Sequence, residues 1–64
     1  MSRGIVLNYY KRQAFGSILD FNDQAIKFRL YSTVFTPREF EPVSFKIILT
    51  RNGLRATNVK SLGQ

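Results

Sequence analysis

The sequence predicts an all-β domain, a small closed or half-closed barrel of five short strands. Three observations carry that expectation. No segment keeps a 3.6-residue apolar period over the length of a helix, so no amphipathic helix is written into the chain. Short runs rich in Val, Ile, Phe and Tyr recur between clusters of turn residues, which is the pattern of strands. With no helix to cover a sheet face, closure of the sheet on itself removes the free edges that invite aggregation.

The first strand is expected over Gly4–Tyr10 and the second over Ala14–Leu19, with the polar stretch "YKRQ" turning the chain between them. Asp20–Asp23, "DFND", supplies the next turn, because Asp and Asn side chains hydrogen-bond the nearby backbone and tolerate left-handed conformations. In the third strand, Ala25–Leu30, the alternation sends Ile26, Phe28 and Leu30 inward, and Lys27, Arg29 and then Tyr31 outward. Residues two apart on a strand are neighbours about 7 Å apart, so two cations and a tyrosine share the outer face.

Ser32–Pro42 holds both prolines and reads as a long connection with room for one helical turn. Its Phe35 and Phe40 are expected to fold back on the core, the alternative being a mobile aromatic at the edge of a binding face. The fourth strand, Val43–Thr50, puts Val43, Phe45, Ile47 and Leu49 on one side and Ser44, Lys46, Ile48 and Thr50 on the other; Ile48 breaks the alternation. Asn52-Gly53 predicts a tight type I′ hairpin, and the fifth strand follows over Leu54–Leu62.

The 64 residues are read as one domain with no repeat and no low-complexity segment. A chain of this size buries only roughly 60% of the surface that it exposes unfolded, so the core is thin. There is no Cys and no His. That removes disulfides, thiolate metal sites and the commonest general base and transition-metal ligand. Asp20 and Asp23 stand in a turn, where their backbone hydrogen bonds explain them; Glu39 and Glu41 read as solvated charges. Gly4, Gly16, Gly53 and Gly63 are too far apart for a phosphate-cradling loop. No enzymatic activity, metal or cofactor is expected. The apolar runs "GIVL" and "IIL" are too short to span a bilayer, and the N-terminus lacks the basic-then-apolar pattern of a secretory signal, so a soluble, cytoplasmic protein without a membrane partner is expected.

Ten Lys and Arg against four Asp and Glu give a net charge of +6, a balance common in nucleic-acid-binding domains. The cations are spread along the chain, so folding must bring them together.

The order "RGIVLNYYKRQAFGSI", "AIKFRLYS", "VSFKII" and "NGLRATNVKSL" resembles the bacterial cold-shock domain family over Gly4–Leu62. Gly4 and Val6 open the first strand as in that family. Phe15, Gly16 and Ile18 fall in its first ribonucleoprotein-type motif, and Ile26, Phe28 and Leu30 in its second. Val43, Ser44, Phe45, Gly53, Ala56, Asn58 and Val59 agree with its last two strands. The resemblance implies a five-stranded oligonucleotide-binding (OB) barrel that binds single-stranded RNA or DNA, as an RNA chaperone or transcript regulator does. It also implies that Phe15 points outward with Ser17 while Ile18 supports the core.

The family's aromatic platform is depleted here. Asn8 stands at a tryptophan position, Ser17 and Lys27 at phenylalanine positions, Arg29 at a histidine position and Leu30 at a further phenylalanine. Gln13 and Ala14 replace a Lys-Gly pair. Each lost stacking ring removes about 1 to 3 kcal/mol, while Lys27 and Arg29 strengthen phosphate attraction. The candidate nucleic-acid-binding residues are therefore Phe15, Lys27 and Arg29 at the centre, Asn8 and Ser17 beside them, and Lys11, Arg12 and Arg55 at the rim. Binding is expected to be weaker, less base-selective and more salt-sensitive than is typical of the family. The alternative is a protein-interaction or regulatory module whose barrel has exchanged base stacking for an acidic protein partner.

Overall fold

The computed structural model describes residues 1–30 and 35–63. Its strands are β1 Ser2–Tyr10, β2 Phe15–Asp20, β3 Ala25–Arg29, β4 Pro42–Thr50 and β5 Gly53–Ser61, and there is no helix among the described residues. They form a closed barrel in the order β1-β2-β3-β5-β4, an all-β OB-type arrangement. Closure falls to β1, which pairs with β2 on one edge and with β4 on the other; Gly4 faces Asp20 across one seam and Val43 across the other. Beyond Ile5 the connection takes over from β4: Val6 N–H donates to the Glu41 carbonyl (2.9 Å), and Phe40 N–H donates to the Val6 carbonyl (2.6 Å). The remaining seam is short, a parallel pairing of β3 with β5 at Lys27–Arg55 and Phe28–Ala56.

The inward residues of the alternating strands make the core: Val6, Ile18, Ile26, Phe28, Val43, Phe45 and Ala56 are buried, with Tyr9, Leu30, Phe35 and Val59 packed against them. Tyr9 stacks nearly parallel on Phe28, ring centroids 5.9 Å apart. Full burial of such side chains contributes about 1.5 to 3 kcal/mol each, and with so few of them every core position matters. The β2–β3 turn is held by the buried Asp20, whose Oδ1 accepts from the N–H groups of Asn22 and Gln24, both at 2.9 Å. Asp23 takes a left-handed φ of 59°.

Three expectations are corrected. Phe35 packs on the core as foreseen, but Phe40 is 64% exposed; its backbone, at φ 66°, is committed to the hydrogen bond with Val6, which leaves the ring in solvent. The β4–β5 hairpin is not type I′. Neither Arg51 nor Asn52 has a positive φ, and Gly53 takes it instead at 109°, as in a turn closed by a left-handed glycine bulge. Thr50 Oγ1 locks it, donating to the Gly53 carbonyl (2.7 Å) and accepting from Asn52 N–H (3.2 Å). Third, the apolar side of β4 is buried only at Val43 and Phe45; Ile47 and Leu49 are exposed, because the hairpin runs past the residues at which β5 meets β3. The outward placement expected of Tyr31 and the start of the connection, residues 31–34, lie outside the described residues.

Candidate nucleic-acid interface

The outer face of β1, β2 and β3 is set by one irregularity. Counting outward from the buried Val6 by strict alternation would turn Asn8 and Tyr10 into the core. A β-bulge at Leu7, between the pairs Val6–Ile18 and Asn8–Ser17, reverses the parity. Tyr9 then faces inward to Phe28, and Asn8 and Tyr10 face outward.

Directly opposed residues point to the same side of a sheet, so the registers define two rows on the outer face. One runs Asn8, Ser17, Lys27, Arg55 across β1, β2, β3 and β5; the other runs Tyr10, Phe15, Arg29 across β1, β2 and β3. At the usual strand spacing the first row spans about 14 Å. Six of the candidate residues, Asn8, Phe15, Ser17, Lys27, Arg29 and Arg55, are thus brought onto one surface. Lys11 and Arg12 are exposed in the turn joining Tyr10 to Phe15, at one end of the second row.

Phe15 lies on the outside of the barrel, half-buried, as the opening alternation of β2 requires. Its ring is not bare: the Arg29 guanidinium carbon stands 5.6 Å from the ring centroid. Arg29 Nη1 also donates to the Gln13 carbonyl (3.0 Å), which ties β3 to the β1–β2 turn. Gly16, beside Phe15, is required by close approach: a Cβ there would collide with the Asn8 carbonyl and come within 2.9 Å of the Phe28 ring. Asn8 is half-buried, and its Oδ1 is shut from solvent without a hydrogen-bond partner, a deficit of about 1 to 3 kcal/mol. The most mutable-looking position of the platform is therefore also a locally unsatisfied one.

No protein-family model matches the chain, and no curated protein matches it.

Sequence reasoning left out Tyr10, which is 55% exposed and opposes Phe15. The signal was its spacing of two from Asn8; the bulge that turns both outward has no signature in "VLNYY". No carboxylate lies in either row. Asp20 and Asp23 belong to the β2–β3 turn, and Glu41 is engaged with Arg38 N–H (3.0 Å) and Ser61 Oγ. Among the described residues no group of three or more acidic side chains could hold a metal ion, and no helix is long and apolar enough to cross a membrane.

Proposed function

We propose that this protein binds single-stranded RNA or DNA on the outer face of β1–β3, as cold-shock-type RNA chaperones and transcript regulators do, and that it works by binding and not by catalysis. The observation that carries the reading is the joint display of Phe15, Lys27 and Arg29 on one carboxylate-free surface. Cations along a strand face follow phosphates while aromatic rings take bases. With Phe15 and Tyr10 as the aromatic groups of the two rows, stacking supplies a small share of the affinity and phosphate contacts a large one. The test is an NMR titration with short oligo-dT or oligo-U, together with Phe15→Ala. Shifts should cluster on β1–β3, and the substitution should weaken binding by about 1 to 3 kcal/mol. Perturbations spread evenly over all basic residues would leave only bulk charge.

The placement of Arg29 over the Phe15 ring supports a second reading, an acidic protein partner. A stacking surface already occupied by a guanidinium is also a basic, rigid contact for carboxylates. A partner that stays bound after nuclease treatment of a pull-down favours this second reading; loss of the bound material with nuclease favours the first.

A further inference from the structure

Both rows end in arginine, and the surface does not stop there. On the outer side of β5 and the β4–β5 hairpin, Arg29, Arg51 and Arg55 line an open groove of about 240 Å³, floored in part by Ile48 and Thr57. No Asp or Glu lines it. Arg55 opposes Lys27 on one side and Ile48 on the other, so the groove is continuous with the β1–β3 face through residues that belong to both. Three guanidiniums around one concavity form a fork array suited to phosphate oxygens, and Ile48, 45% exposed, offers an apolar patch for a sugar or base edge.

We infer that the single strand continues off the β1–β3 face, crosses β5 and seats a further phosphate in the Arg29–Arg51–Arg55 groove. The inference rests on the proposed function and adds a path and a longer site to it. OB barrels occupy about 4 to 16 nucleotides; here the β1–β3 face takes the short end of that range and the hairpin groove extends it.

Arg51 separates the groove from the platform, since it lies in the exposed hairpin turn and in neither row. The experiment measures affinity for fluorescein-labelled oligo-dT of about four and about ten nucleotides, between about 50 and 200 mM salt, for the wild type, Arg51→Gln and Lys60→Gln. Lys60 is an exposed cation of the same charge outside the groove. On the longer strand, Arg51→Gln should reduce the slope of log K against log salt by about 0.7, the value of one phosphate contact. Across that salt range the wild type then loses about 2.6-fold more affinity than the variant. On the short strand the two should coincide, and Lys60→Gln should behave as wild type on both.

Equal slopes for wild type and Arg51→Gln on the longer strand overturn the groove while leaving the platform intact. An equal effect of Lys60→Gln overturns it too, by reducing the contribution to bulk charge, and an equal effect of Arg51→Gln on both lengths shows that the groove is no extension. Failure of both strands to bind removes the proposed function itself.

Discussion

At the scale of single residues the site is a competition for one ring. A cation over an exposed aromatic contributes about 0.5 to 1 kcal/mol, less than the 1 to 3 kcal/mol or so of a stacked base. A base therefore displaces the Arg29 guanidinium from Phe15 or stacks upon its plane, and in either case the Arg29 side-chain resonances should be among the first to move in a titration. An unmoved Arg29 would mean that Phe15 takes no base. Asn8 offers the complementary test, because it heads the row that Ser17 and Lys27 continue and its Oδ1 has no partner to lose. Asn8→Trp should add a stacking face at the cost of no hydrogen bond and raise oligo-dT affinity by about 1 to 3 kcal/mol, read by fluorescence quenching of the new indole. No gain would show that the strand does not pass over β1.

At the scale of the elements, alternation made most of this fold legible, and departures from alternation hid the rest. Ile26, Phe28 and Lys27, Arg29 fall on opposite faces as their spacing predicts, and the Asp20 turn follows from its side-chain chemistry. The OB strand order came from resemblance, since periodicity says nothing of the β3–β5 seam. Tyr10 and the true hairpin turn were missed for a common reason: each depends on a bulge, at Leu7 in one case and at Gly53 in the other. A bulge is set by tertiary pairing and leaves no composition of its own. β5 carries another, where Asn58 at φ 53° and Val59 stand opposite Phe45. Phe40 was misjudged because hydrophobicity speaks for the ring, while the backbone of this connection is held by Val6. The β1–β2 contact yields a stability prediction at Gly16, where a Cβ meets the Asn8 carbonyl and the Phe28 ring at once. Neither the strand backbone nor a core ring can give way freely, so Gly16→Ala should destabilise by about 1 to 3 kcal/mol. In a domain of this size that lowers Tm by roughly 5 to 20 °C, measurable by thermal unfolding followed by circular dichroism; an unchanged Tm would mean that β1 and β2 separate at little cost.

At the scale of the whole molecule, a net charge of +6 lies on a barrel only 26 × 22 × 17 Å across. Charge of one sign destabilises the compact state by self-repulsion. The Debye length is about 30 Å at 0.01 M salt and 10 Å at 0.1 M, so at the lower value every cation feels every other, and at the higher only its neighbours. Raising salt across this interval should therefore raise the Tm of the free protein. The complex must respond with the opposite sign, because phosphates that replace counterions bind more weakly as salt increases. A ligand at a hundred times its Kd stabilises by about 2.7 kcal/mol, which at roughly 4 to 8 °C per kcal/mol is an increment of about 10 to 20 °C. With the oligonucleotide concentration fixed at low-salt saturation, that increment should shrink as salt rises while the free Tm climbs, so that the two melting curves converge. Parallel curves would mean that stacking dominates the affinity after all, and a free Tm that falls with salt would mean that attractions between unlike charges outweigh the repulsion among these cations.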